Sequence, residues 1–87
     1  MTVNMTLGSP GIPNLAGVYL FKKGSRPIYI GKAVNLKKRL ASYFRKNAGE
    51  KVRLMLQEAT KLDWIETESE IDALLKEAEF IKKYRPK

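Results

Sequence analysis

Two short strings constrain this chain more than anything else in it. They are Gly17-Val18-Tyr19 and Tyr29-Ile30-Gly31, separated by residues 20–28. Each stands in a run where side chains alternate in character, the period of a half-buried strand. Val18, Leu20, Ile28 and Ile30 form one face of the two predicted strands; Tyr19, Phe21 and Tyr29 form the other. Lys23-Gly24-Ser25-Arg26 supplies a turn, so the pair predicts a hairpin. Directly opposed residues share a face, so pairing Val18 with Ile30 and Leu20 with Ile28 sets Tyr19 opposite Tyr29.

The rest of the chain has to cover that hairpin. Asn35 is the N-cap of a predicted helix over about 36–46. Leu36, Leu40 and Tyr43 form its buried stripe, with Phe44 beside it; Lys37, Lys38 and Arg45 point outward, and Arg39 flanks the stripe. Asn47-Ala48-Gly49 breaks the helix. A second follows over about 50–61, with Val52, Met55, Leu56 and Ala59 inward. Residues 63–68 read as a third strand. Ser69-Glu70-Ile71-Asp72 then has the form of a capping box and starts a helix over about 70–84. Ile71, Leu74, Leu75, Ala78 and Ile81 give it an apolar face to bury. Residues 1–14, with Gly8, Pro10, Gly11 and Pro13, read as a leader or loop, which leaves 15–87 as the domain. The predicted order is β-β-α-α-β-α. That is an α+β domain whose small, mainly antiparallel three-stranded sheet is flanked by helices.

Composition narrows the chemistry. Seventeen Lys and Arg against nine Asp and Glu give a net charge of +8, which favours a polyanionic partner, most simply nucleic acid. There is no cysteine, so disulfides and thiolate metal sites are excluded. There is no histidine, which removes the usual general base and zinc ligand. Any catalysis falls to Tyr, Lys, Arg, Glu or Asp, with or without a hard metal. A chain of 87 residues buries only a modest core, so a shallow, surface-built site is expected. No apolar run reaches the ~20 residues of a membrane span, and no signal peptide is evident, so a cytoplasmic setting is expected.

Five positions attract chemistry on their own account. Glu77 lies three residues after Leu74 and four before Ile81, with Ala73, Phe80 and Tyr84 on its other side. A carboxylate at a core boundary costs desolvation energy unless it is paired or liganded, so Glu77 is either a salt-bridge partner or a metal ligand. Arg39 either pairs with Glu77, or runs along the core edge, or holds a phosphate oxygen bidentately. Lys32, at a strand end after Gly31, is a point charge for phosphate or simply one of seventeen cations. Tyr19 and Tyr29 are edge aromatics unless cations or a metal-bound water lie close enough to make a tyrosine, with its pKa of ~10, useful as a base.

The two tripeptides, with Arg39 on the following helix and Glu77 on a later one, resemble the GIY-YIG nuclease superfamily. Gly17-Val18-Tyr19-Leu20-Phe21, Tyr29-Ile30-Gly31-Lys32-Ala33, Asn35-Leu36-Lys37-Lys38-Arg39-Leu40, Ser42-Tyr43-Phe44 and the string from Phe80 to Lys87 are similar to the UvrC branch. That branch holds the N-terminal domains of a subunit of the bacterial nucleotide-excision-repair excinuclease. The resemblance implies a GIY-YIG fold and a cut in one strand of damaged duplex DNA, 3′ to a lesion, made with UvrB after loading by UvrA. It also implies one divalent ion, Mg²⁺ or Mn²⁺, on Glu77. Tyr29 would be the general base or would orient water, and Arg39 would bind the scissile phosphate. Lys32, Tyr19 and Tyr43 would position phosphate and water, while Lys37, Lys38 and Arg45 would join Lys32 and Arg39 in binding DNA. A monomeric fragment of a longer subunit is expected, since the family continues past Lys87 into a Tyr-Asn pair whose asparagine belongs to its site. The family's proline before the first string is Ala16 here. A non-catalytic nucleic-acid or UvrB-docking module, and a stand-alone or homing nuclease, are the competing expectations.

Overall fold

The computed structural model describes residues 2–3 and 11–85. The two tripeptides do form a hairpin. Strand β2 is Gly17–Lys23 and β3 is Arg26–Ala33, joined by a two-residue turn in which Gly24 has φ +65°. Helix α1 (Leu36–Tyr43), helix α2 (Glu50–Glu58), strand β4 (Lys61–Glu66) and helix α3 (Glu70–Tyr84) follow in the expected order. Two residues ahead of the hairpin, β1 (Thr2–Val3), pair antiparallel with β4. The sheet therefore reads β1-β4-β2-β3 and is antiparallel throughout, with β3 at an edge.

The hairpin register differs from expectation by two residues. Tyr19 pairs with Gly31 and Phe21 with Tyr29, so Tyr19 is not opposite Tyr29. The face parity is unchanged by a two-residue shift. It fails only at Ile28, where the ladder is interrupted between Phe21 and Lys22. Pro27, opposite Lys22, has no N–H to give to the ladder, the usual setting for a bulge on an edge strand. Ile28 is consequently turned to the tyrosine face, where it packs against the larger core cluster rather than with Val18 and Leu20.

The sheet is covered on both sides. One face carries Tyr19, Phe21, Leu62 and Trp64, packed with Leu36, Leu40 and Tyr43 of α1 and with Val52, Met55 and Leu56 of α2. The other carries Val18, Leu20 and Ile30 under Ala73 and Phe80 of α3. Asn35 caps α1 as expected, its side chain accepting from the Lys38 N–H at 3.0 Å. The supposed leader clamps the same helix end. Leu15 and Pro13 carbonyls accept from the Leu36 and Lys37 N–H groups at 2.8 and 3.1 Å, satisfying donors that a helix start leaves open. Residues 4–10 of that segment lie outside the described residues.

Helix α3 starts where expected, with Ser69 accepting from the Asp72 N–H, but it buries a different stripe. Ala73 is fully buried, and Glu77 and Phe80 are half-buried. Ile71, Leu74, Leu75 and Ile81, expected inward, are 43–70% exposed, and Ala78 is exposed as well. The helix packs mainly on β3 and β2, and the small Ala73 lets it come close to Val18, Leu20 and Ile30. The richer apolar stripe is left facing away from the sheet. Elsewhere α1 and α2 stop three residues short of expectation, and β4 begins two residues early. The Lys22 carbonyl takes the Thr60 N–H at 2.7 Å, which ends the helical pattern and feeds the chain into the sheet.

Candidate functional site

Three tyrosines and an arginine meet at the β3 edge of the sheet. Tyr19 comes from β2, Tyr29 from β3, and Arg39 and Tyr43 from α1, four residues apart on one helix face. The Tyr19 and Tyr43 hydroxyls share a buried hydrogen bond of 2.6 Å, and Arg39 Nε donates to the Tyr19 oxygen at 3.3 Å. The Tyr29 ring centroid lies 6.2 Å from those of both Tyr19 and Tyr43. The Arg39 guanidinium carbon sits 5.6 Å from the Tyr43 ring centroid. Tyr19 is fully buried and Tyr43 nearly so, whereas Tyr29 is 37% exposed.

Burial sets the proton affinities. It pushes the Tyr19 hydroxyl above the usual tyrosine range, against the downward pull of its bonds to Tyr43 and Arg39. Burial also pushes Tyr43 upward, further still, and its bonds to Tyr19 and Tyr29 add to the shift. Arg39 is raised by its bond to Tyr19 and holds its charge throughout. Tyr19 and Tyr43 therefore keep their protons near neutral pH. Tyr29 is the exposed member of the cluster.

The remaining expected residues lie outside this cluster, and Glu77 lines neither of the clefts described below. Lys32 is exposed on β3 with the opposite parity to Tyr29, so it points to the α3 side of the sheet. With Arg39, Lys38, Asn35, Ser42, Glu70 and Ala73 it lines a cleft of about 460 Å³. Lys37 and Arg45 are exposed but line neither this cleft nor the next. Glu77 is on α3, in line with Ala73 and Phe80, on the face that packs against β3. Among the described residues it has no hydrogen bond and no ion pair, and Arg39 bonds Tyr19 rather than Glu77. The salt-bridge alternative for both residues is thus not what the fold contains. No group of three or more acidic or other ligating side chains occurs among the described residues. The donor set on offer to a cation is one half-buried carboxylate beside the β3 edge. That fits a hard divalent ion that completes its shell with water and phosphate oxygens.

Sequence reasoning missed a second, larger cleft of about 780 Å³. Tyr29 and Tyr43 form part of its wall; Arg26 adds charge from the same strand as Tyr29, and Lys51 of α2 with Tyr84 and Arg85 at the end of α3 bring further charge and an aromatic ring. Each of these residues is an ordinary surface side chain in the sequence, and only the packing of α2 and the end of α3 around β3 assembles them. No helix among the described residues is long and apolar enough to cross a membrane.

A sheet of this topology with this tyrosine–arginine cluster is that of the GIY-YIG class. A family model described as the UvrC-like GIY-YIG domain matches residues 15–87, and the chain belongs to that family. It is 47% identical over 76 residues to the UvrABC system protein C of Aquifex aeolicus and 53% identical over 76 residues to that of Fervidobacterium nodosum. Those alignments cover 86% and 87% of this chain, which spans 13% of the length of each relative. Among solved structures it is similar to the GIY-YIG N-terminal endonuclease domain of UvrC from Thermotoga maritima, bound to its catalytic divalent cation, magnesium. The TM-score is 0.82 at 46% identity, over 87% of this chain and 84% of that one.

Proposed function

We propose that this chain is a metal-dependent endonuclease domain that cuts one strand of damaged duplex DNA 3′ to a lesion during nucleotide excision repair. Family membership, the magnesium-bound relative and the charge of +8 support the reading. The observation that carries the chemistry is the anchoring of Arg39 on Tyr19 through Nε. With Nε engaged, the two terminal nitrogens are left to grip the non-bridging oxygens of a phosphate bidentately and to stabilise the charge that develops there.

Glu77 would hold a single Mg²⁺ or Mn²⁺ ion. Bound there, the ion would stabilise charge on the leaving oxygen. Tyr29 accepts or relays the proton of the attacking water, since it is the exposed member of the cluster. Tyr19 and Tyr43 stay protonated and fix the positions of Arg39 and Tyr29. Lys32 adds a point charge at the same edge. Lys37, Lys38 and Arg45 extend the basic surface along which a backbone can lie. The cut would be made in complex with UvrB, loaded at damage by UvrA.

Reconstituted incision of lesion-bearing duplex, using a full-length subunit that carries this domain together with UvrA and UvrB, tests the reading. Glu77→Gln should abolish the 3′ cut, and Arg39→Ala should slow it by ~10²–10³-fold, the usual cost of losing a transition-state donor. A Glu77→Gln subunit that still makes the 3′ cut would sink the assignment.

A further inference from the structure

The cluster is a wall between two clefts of different character. The smaller offers Lys32, Lys38 and Arg39 with Asn35 and Ser42, a polar surface suited to a phosphate backbone. The larger has cations too, Arg26, Lys51 and Arg85, but they surround an apolar floor of Pro27, Val52 and Met55. Leu54 and Tyr84 stand at its rim, 48% and 41% exposed. Its single acid, Glu58, already has Lys23 at 3.9 Å. Helix α3 runs past both, with Ala73 at the smaller and Tyr84 at the larger. Eleven residues at ~1.5 Å each separate them by about 16 Å, several nucleotide steps of ~3.4 Å. A strand whose scissile phosphate rests on Arg39 therefore reaches both clefts.

A backbone groove needs cations and has no use for an apolar floor. A floor of aliphatic side chains with an aromatic rim and cations around it matches a nucleoside: an apolar base face, with phosphates at either end. We infer that the larger cleft is a base pocket, taking the unstacked base of a nucleotide a few steps along the strand from the scissile phosphate. Tyr84 offers the stacking face with Leu54 beside it at the rim, Pro27, Val52 and Met55 the apolar floor, and Arg26, Lys51 and Arg85 meet the flanking phosphates. The proposal rests on the nuclease reading only for which phosphate is cut. The binding itself requires neither metal nor cleavage.

Anisotropy measurements on this chain without divalent ions test it. The probes are a labelled oligothymidylate of roughly eight nucleotides, within the ~4–16 of a small single-strand site, and an abasic strand of the same length. Oligothymidylate should bind about tenfold more tightly, the effect of one stacked base. Leu54→Gln and Tyr84→Ala should each lower its affinity to the abasic level. Neither should change abasic binding, which also serves as the control for folding. Equal affinity for the two strands in the unaltered chain overturns the pocket, and is the result expected if a peptide segment fills the cleft instead. A base preference that survives both substitutions overturns its location. Loss of metal-dependent cutting with these binding results intact would count against the nuclease reading alone.

Discussion

Tyr19 lies across Gly31, its partner on β3, so closely that a β-carbon there would meet the phenol oxygen and sit 2.5 Å from Cζ. The tyrosine of the first string occupies the space that the glycine of the second leaves open. Gly31 is not among the glycines with positive φ, so clearance and not backbone conformation requires it. This contact sets the Tyr19 oxygen against Tyr43 and Arg39.

Gly31→Ala should therefore act as overpacking. A methyl that fits neither ring nor backbone should cost about 1–3 kcal/mol in urea unfolding. The same shift moves the oxygen that anchors Arg39, so incision should fall by more than the loss of folded protein accounts for. Unfolding midpoints together with incision rates at a temperature where the variant stays folded would separate the two effects.

Alkaline pH reads the tyrosine cluster directly. Tyr19 and Tyr43 have folded pKa values raised above the ordinary 10.0. The folded state then holds its protons longer than the unfolded chain, so their contribution is complete below pH 10 and is lost as pH rises beyond it. Denaturant midpoints should be level below pH 10 and fall above it. Tyr43→Phe should flatten that fall. It should also cost about 1 kcal/mol at neutral pH through the lost bond to Tyr19. An equally steep alkaline fall in Tyr43→Phe would mean that the transition comes from elsewhere.

Helix α3 shows what the sequence could and could not reveal. Its bounds were legible from Ser69 and from the run ending at Tyr84. Its orientation was not, because the stronger apolar stripe faces away from the sheet and the buried one is Ala73, Glu77 and Phe80. Two substitutions distinguish these stripes. Leu75→Lys should change stability by no more than about 0.5 kcal/mol, as expected at an exposed position. Ala73→Leu should cost about 1–3 kcal/mol by forcing the helix off Val18, Leu20 and Ile30. A large loss in Leu75→Lys would restore the sequence-based orientation.

The site was legible in a similar, partial way. Alternation was enough to put Tyr19 and Tyr29 on one face, because face parity survives a register shift of two. It could not reveal the shift itself, which depends on Pro27 interrupting the ladder and on the fit of Tyr19 over Gly31. Helical spacing located Arg39 beside the stripe of α1, but its choice of Tyr19 over Glu77 is a matter of which sheet face each helix covers. The larger cleft had no local signature at all.

That division of faces leaves Glu77 half-buried beside Ala73 and Phe80 with no ion pair among the described residues. Such a carboxylate costs desolvation energy that a bound cation would offset. Glu77→Gln keeps the shape and removes the charge. In a chelator, the variant should be at least as stable as the unaltered chain, by up to about 1 kcal/mol. Magnesium should reverse that order. It should raise the unaltered chain by about 2.7 kcal/mol at a hundredfold excess over its Kd and leave the variant unmoved. Thermal unfolding across a magnesium titration checks both arms. A variant that is clearly less stable in chelator would mean that the protein itself holds the carboxylate, and the metal would have to be sought at another residue.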